Sequence, residues 1–482
     1  MRFFEIILLV IATTFPILFL FKFRIPKRKA FAILIGIIFV LHLVLEGVRW
    51  QMSPGYVMIL GVLFLLWKQP IKVNMNLLVK IFIATGFGII LMLGWFLPII
   101  LPVFKLPTPT GNLEIGSKYI HIKTDRPELI TLDKDDKREL MIKAWYPAQI
   151  ADENLENYLD KGSRLGFADK YGLPGWSMNY LDLIETNTYK SPKVADGKFP
   201  VLIFSHGHYS KAFGYYALIE EIVSQGYIVL NINHTYESTG SIFPDGDLRL
   251  YNTTYDSLNN NQEMAEMAWN ATQEFKRAES AKEEFKAIKD LMENYIATES
   301  IKRWSKDISS VIDHLENEEN FSFLTSHIIK SKIGVFGHSH GGAAAGQVLL
   351  EDKRVKAALN IDGTQWGTMV NSTLDKPFAY ISSDWPEEQP NFNKHAFRNK
   401  SKTDFYNIEI ENSGHSNFMD IPLMVNFAAV NEAGSIDPLK AYKVANSLII
   451  QFFDKYLLNK SIDILEMENE YEFTGIKIES GF

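Results

Sequence analysis

The chain begins with four nearly uncharged apolar blocks, at residues 3–21, 30–45, 56–67 and 81–103. Only afterwards does it change to short apolar runs separated by polar stretches. A helix needs about 17 or more apolar residues to cross a bilayer. The first, second and fourth blocks reach that length with their flanks, and the third does so only if residues 52–55 join it. The pattern predicts spans near 3–21, 30–48, 53–67 and 80–103, forming a helical membrane anchor over residues 1–104. A secretory signal is the competing reading of the first block. No small-residue cleavage site follows it, however, and basic residues do.

Charge orients these spans. Lys22, Arg24, Lys27, Arg28 and Lys29 follow the first block, and Lys68, Lys72 and Lys80 surround the third connection. The other two exposed ends hold only Arg2 and Arg49. Basic loops are retained in the cytoplasm, so four spans place Met1 and the domain after residue 104 outside it. Three spans would place that domain inside. Glu46 and Arg49, near a predicted helix end, read as a mutual or interfacial pair.

From residue 105 onward, runs at 201–204, 227–232, 333–336, 357–361, 378–381 and 406–410 have strand length and alternate with helical or polar stretches. Such alternation predicts an α/β domain over residues 105–482, a mostly parallel sheet with helices on its faces. Residues 237–320 read as an insertion: turn-rich at 237–255, helical in composition at 261–294, then an amphipathic helix with Ile308, Val311, Ile312 and Leu315 on one face. The stretch 237–300 suits a cap over a site, or an insertion that only adds stability. Composition narrows the function. A formal charge of −8 argues against nucleic-acid binding, and the absence of cysteine excludes disulfides, thiol catalysis and cysteine-ligated metal.

The chemistry concentrates after the run 333–336. Gly337-His338-Ser339-His340-Gly341 leads into the small-residue stretch Gly342-Ala343-Ala344-Ala345-Gly346. Gly-x-Ser-x-Gly between a strand and a helix is the nucleophile-elbow pattern, in which the serine hydroxyl projects from a tight turn. A serine nucleophile requires a base, an acid to orient it and donors for the oxyanion. Ser205-His206-Gly207-His208 follows the buried run 201–204, which suits the amide of His208 as one donor; the amide of His340 supplies the second. His415, in the loop Ser413-Gly414-His415-Ser416 after a strand, is the candidate base. His395 is its rival and reads as a solvated loop residue. Asp362 and Asp384 both follow strands at the carboxyl edge of the sheet. Asp362 follows its strand directly and is preferred, with Asp384 as the alternative acid.

The pairs His206-x-His208 and His338-x-His340 have strand spacing for zinc, but no nearby Asp or His completes either set. Asp245-Gly246-Asp247 lacks the spacing of a calcium loop. No metal and no cofactor is expected.

Phe204-Ser205-His206-Gly207, Gly337-His338-Ser339-His340-Gly341-Gly342, Ile361-Asp362-Gly363 and Gly414-His415-Ser416-Asn417-Phe418 resemble the platelet-activating factor acetylhydrolase family, the plasma-type, lipoprotein-associated phospholipases and their bacterial relatives. Pro109-Thr110-Gly111, Ile115-Gly116 and Leu140-Met141-Ile142-Lys143-Ala144-Trp145-Tyr146-Pro147 resemble that family's N-terminal strands. The likeness covers about residues 107–458. It implies an α/β-hydrolase fold, Asp362 rather than Asp384 as the acid, and oxyanion amides at His208 and His340. It also implies lipid ester substrates with short or oxidised sn-2 acyl chains. The family commonly has an aromatic residue directly after the nucleophile; His340 stands there in this chain and alters the pocket wall. Two other readings stand beside the lipid esterase: a general short-acyl carboxylesterase or peptidase of the same fold, and a non-catalytic membrane sensor or scaffold.

Overall fold

The computed structural model describes the chain except residues 22, 24, 69–75, 212, 318, 319, 385–390, 398–400, 472–474, 481 and 482. Lys22, Arg24 and Lys72, which enter the charge argument, lie outside the described residues. The chain divides into two units. The first comprises Met1–Lys105 with Pro174–Ile184 and Leu423–Asn431; the second comprises Leu106–Leu173, Glu185–Pro422 and Glu432–Phe482.

In the first unit each apolar block is a helix: α1 (Phe3–Leu20), α2 (Arg28–Leu45), α3 (Ser53–Trp67) and α4 (Leu77–Ile100). A 3₁₀ turn at Trp50–Met52 lengthens the third block, so that Trp50–Trp67 forms a predominantly apolar helical segment of 18 residues. This segment, α2 and α4 are long and apolar enough to cross a membrane, and Phe3–Phe19 is the shorter helix. Leu8 and Ala12 of α1, Ala32 and Ile35 of α2, and Ile59 and Val62 of α3 bury one cluster. On α4, by contrast, Leu78 is 77% and Phe82 81% exposed, an apolar surface of the kind that water does not favour.

The expected Glu46–Arg49 pair does not form. Gly47 turns the chain at φ 76° and Arg49 is extended, which carries it away from the end of α2. Arg49 donates instead to Glu5, from Nε to Oε1 at 2.6 Å and from Nη2 to Oε2 at 2.8 Å, and both side chains are buried. Glu46 accepts from the Phe4 amide at 2.8 Å and pairs with His42 at 2.9 Å. Removing one partner of a buried ion pair strands the other charge and costs about 3–5 kcal/mol. Glu5→Ala is therefore expected to lower the thermal midpoint of the detergent-solubilised protein markedly. Glu5→Leu combined with Arg49→Met should recover much of the loss.

The second unit is built on one large sheet of β1 (Glu114–Pro127), β2 (Lys137–Gln149), β3 (Glu185–Lys190), β4 (Phe199–Ser205), β5 (Ile228–Asn233), β6 (Ile328–His338), β7 (Val355–Ile361), β8 (Phe378–Ser382), β9 (Phe405–Ile410) and β10 (Ile476–Ser480). The spatial order is β10-β9-β8-β7-β6-β4-β5-β2-β1-β3. The strands from β5 to β9 are mutually parallel, whereas β2 joins β5, and β10 joins β9, antiparallel. The central strands are buried on both faces, which explains why 201–204 and 333–336 read as continuous apolar runs rather than alternating ones.

Four helices cover this sheet: α5 (Tyr216–Ser224), α6 (Ile296–Asn317), α7 (His340–Glu351) and α8 (Pro438–Leu458). Successive strand residues point to opposite faces. Val201, Ile203, Ile333 and Val335 join a core with Trp304, Ile308, Val311 and Ile312 of α6 and Ala343–Ala345 of α7. On the other face the rings of Phe204 and Phe336 pack tilted at 4.8 Å, with Phe453 of α8 6.0 Å from Phe336. The predicted insertion 237–320 is thus divided. Its apolar helix α6 is part of the core, because its face of Ile308, Val311, Ile312 and Leu315 is buried against the sheet and α7. The helix Ala281–Asn294 adds Ile288 and Met292 to the same core, and the hairpin Gly240–Ile242/Leu248–Leu250 and the helices Thr253–Asn259 and Gln262–Arg277 precede it in the chain.

Candidate active site

Three parallel strands, β4, β6 and β7, end side by side and deliver their following turns to one edge. Between β6 and α7, Ser339 stands alone at φ 55°, ψ −121°. A non-glycine residue in such a conformation costs about 1–3 kcal/mol and persists only where its surroundings impose it. A Cβ on Gly341 would lie 2.0 Å from the Ser205 carbonyl oxygen, and one on Gly337 would lie 2.6 Å from it. The chain therefore passes too close to β4 for any side chain at position 337 or 341. The Ser339 amide donates to the Ile361 carbonyl at 2.7 Å, which fixes the elbow against β7. Tyr209, Asp362 and Asn412, all in turns at this edge, also have positive φ.

Asp362 and His415 meet, with His415 Nδ1 2.7 Å from Asp362 Oδ2. The other carboxylate oxygen of Asp362 accepts from the Ser383 amide at 2.8 Å and its hydroxyl at 2.9 Å. Asp362 is sealed, at 1% side-chain exposure, while His415 presents 40% of its side chain. Asp384 takes no part in this pair: it is exposed, and its carboxylate accepts from the Asn412 amide at 2.9 Å. His395 is not solvated as expected but buried, with Nε2 2.9 Å from Glu284.

Burial disfavours the His415 cation, but the hydrogen bond and charge of Asp362 outweigh it, with Glu432 adding to them. The imidazole therefore titrates above its ordinary value of 6.5. A base must be neutral to accept a proton, so kcat/KM is expected to fall as pH drops through a midpoint above 6.5. Asp362→Asn removes the anion and should move that limb to lower pH, as a pH–rate profile would register.

The amides of His208 and His340 have no protein acceptor among the described residues. Their side chains are engaged: His340 Nε2 lies 2.6 Å from Ser300 Oγ, and His208 Nε2 lies 3.0 Å from the Tyr251 hydroxyl. His206 Nδ1 lies 2.7 Å from the Gly207 carbonyl, and His338 Nε2 lies 3.0 Å from the His415 carbonyl. The rings of the two His-x-His pairs are thus each held by a different group. No set of three or more metal-capable side chains converges among the described residues.

Ser339, His340, Asp362 and His415 line one cleft of about 710 Å³, with His208, Trp366 and Glu432 among its other walls. Sequence reasoning missed Ser383, Ser300, Trp366 and Glu432. Of these, only Ser383 carried a signal, its place directly after the strand beside Asp362.

It also missed a second Ser-His-Asp array. Ser205 Oγ lies 2.9 Å from His234 Nε2, and His234 Nδ1 lies 2.8 Å from Asp307 Oδ2. All three side chains are fully buried, so no ester carbonyl reaches Ser205. Asp307 is further bound to Arg138 at 2.7 Å, and the His234 ring stacks on Trp304 at 3.8 Å. This array is a packed polar link between β4, β5 and α6.

Comparison with known proteins follows this geometry. Residues 101–474 match the family described as platelet-activating factor acetylhydrolase, isoform II. The platelet-activating factor acetylhydrolase of Canis lupus familiaris is 24% identical over 408 residues, covering 78% of this chain and 83% of that protein. The Bos taurus protein of the same name is 27% identical over 386 residues, covering 74% and 79%. A probable 1-alkyl-2-acetylglycerophosphocholine esterase of Arthroderma benhamiae is 22% identical over 260 residues, 50% of this chain and 54% of that protein. Among solved structures, a ferulic acid esterase from Streptomyces cinnamoneus superposes with a TM-score of 0.59 at 22% identity. It covers 76% of this chain and 96% of that one, a likeness of fold. With the family match spanning the elbow, the Asp362–His415 pair and the sheet that carries them, this chain belongs to the platelet-activating factor acetylhydrolase, isoform II, family and is a carboxylic ester hydrolase.

Proposed function

We propose that Ser339, His415 and Asp362 hydrolyse short or oxidised acyl esters of phospholipids through an acyl-enzyme. The observation that carries this reading is the 2.7 Å Asp362–His415 pair in one cleft with a serine at a positive-φ elbow. Ser339 Oγ attacks the ester carbonyl while His415 Nε2 takes its proton. The amides of His208 and His340 receive the charge on the carbonyl oxygen. Collapse of the tetrahedral species breaks the bond to the alcohol, which leaves with the proton from His415. Water, deprotonated by His415, then releases the acid and restores Ser339. Asp362, held by Ser383, keeps Nδ1 protonated and stabilises the cation.

The cleft favours a short acyl group. Among the described residues that line it, Trp366 is the one large apolar wall, beside Thr364, Ser383, Asp384 and Glu432. Each buried CH₂ is worth about 0.8 kcal/mol only where apolar surface receives it, so a long chain gains little here. A substrate panel on the solubilised protein tests the reading. Expected is a higher kcat/KM for a glycerophospholipid with an sn-2 acetyl group than for its long-chain counterpart, a simple aryl acetate or a peptide anilide. Preference for the aryl acetate would move the assignment to a general carboxylesterase, and preference for the anilide to a peptidase.

We also place the catalytic unit outside the cytoplasm, behind four spans. The excess of basic residues in the first and third connections supports this, since carrying Lys or Arg to the bilayer centre costs about 2.5–3.5 kcal/mol each. External protease on spheroplasts is expected to digest the region after residue 104 and to spare the loop around residues 22–29. A protected C-terminal region would leave three spans and place the substrate in the inner leaflet or cytosol.

A further inference from the structure

One buried hydrogen-bonded chain joins the three parts of the site that must act together. The Gly207 amide, in the turn carrying the His208 donor, donates to the Tyr215 hydroxyl at 3.0 Å. The Tyr215 hydroxyl lies 3.1 Å from His338 Nδ1, and His338 Nε2 lies 3.0 Å from the carbonyl of His415. Tyr215 is 0% and His338 1% exposed. The three groups belong to different elements: the turn after β4, the residue preceding α5, and the residue preceding the nucleophile.

Proton accounting fixes the direction of the chain. Gly207 N–H can only donate, and the His415 carbonyl at the other end of the chain can only accept. The single Tyr215 proton then goes to His338 Nδ1, which must be bare. The His338 proton therefore sits on Nε2 and is donated to the His415 carbonyl. Burial, with the charge of His415 adding, pushes the His338 imidazole well below its ordinary range, so the ring remains neutral and can accept from Tyr215. The three segments also lie close together. A Cβ on Gly207 would lie 3.3 Å from the Tyr215 hydroxyl, 3.4 Å from His338 Nδ1 and 3.5 Å from Ser339 Cβ. The His338 and His415 rings are 4.5 Å apart.

We propose that Tyr215 and His338 are positioning residues that lock the oxyanion turn and the base loop in one register around Ser339. The proposal rests on the assignment of Ser339 and His415 given above. Neither side chain lines the cleft. Each acts only through its bond to Gly207 or His415, so loss of the chain should affect the transition state more than substrate binding.

The test is kinetic and uses the full-length protein in detergent. Tyr215→Phe keeps the ring packed on Phe204, 4.8 Å away, and deletes only the hydroxyl. It is expected to lower kcat about 10- to 100-fold, less than the ~10²–10³ lost when an oxyanion donor itself is removed, with KM within about twofold. His338→Leu fills the space without a donor and should behave likewise. His338→Gln retains an N–H near the Nε2 position and should recover part of the activity. Because both residues act through one chain, Tyr215→Phe/His338→Leu should be no worse than His338→Leu alone.

A wild-type kcat in Tyr215→Phe, or additive losses in the double variant, would overturn the proposal. So would a fall in kcat that merely follows a fall in thermal midpoint across the series, with no recovery in His338→Gln. Failure of the underlying assignment shows separately, as turnover surviving in Ser339→Ala. If Tyr215→Phe does not fold, the Leu–Gln contrast at 338 decides the question on its own.

Discussion

Ser339→Ala is expected to lower kcat by about 10⁴ or more while leaving the thermal midpoint near that of the wild type. In the proposed mechanism the hydroxyl is the bond-forming group, and only substrate binding and the oxyanion amides remain without it. Stability should hold because Ser339 makes its structural contact through the main chain, from its amide to the Ile361 carbonyl. A methyl group is no larger than the hydroxymethyl it replaces. Steady-state turnover of a short-acyl ester, run beside a melting curve, checks both halves. Full turnover in the variant would place the nucleophile elsewhere.

Asp362→Asn is expected to lose a comparable factor, of order 10⁴ in kcat. The carboxylate accepts from three directions, His415 Nδ1, the Ser383 amide and the Ser383 hydroxyl. The asparagine NH₂ cannot satisfy all of them. With its oxygen kept on the Ser383 amide, the NH₂ turns toward His415 and favours the tautomer whose Nε2 carries the proton, which cannot accept one from Ser339. Asp384→Asn should cost far less, under about tenfold, because that exposed carboxylate only receives the Asn412 amide and exposed polar contacts contribute little. Parallel kcat determinations on the two variants check the ranking, and a reversed order would transfer the acid to Asp384.

Local features were legible in the sequence. The elbow requires glycine at the second position before and after the serine, and the parallel strands are buried on both faces, so both appear as short local patterns. What joins distant segments was not legible. Between the two acids the residues themselves offered only one distinction, that Asp362 follows its strand directly. They differ because Asp362 stands at φ 54°, with its carboxylate on Ser383 and His415, whereas Asp384 faces solvent. Asp307 looked like one more charge on an amphipathic helix, yet it sits on the buried side of α6, bound to Arg138 and His234. Glu5 was hidden inside an apolar block because its partner Arg49 lies 44 residues away. The helix α6 was grouped with an insertion because it follows one directly. Its apolar face, which the sequence did display, is what assigns it to the core.

The half-buried elbow serine that lines the cleft, and not the buried serine of the second Ser-His-Asp array, is the proposed nucleophile. Mass mapping of a fluorophosphonate adduct on the full-length protein tests this most directly. One phosphonylated residue is expected, Ser339, with labelling slowed at pH values below the His415 titration. An adduct on Ser205 or another serine, with Ser339 unmodified, would contradict it.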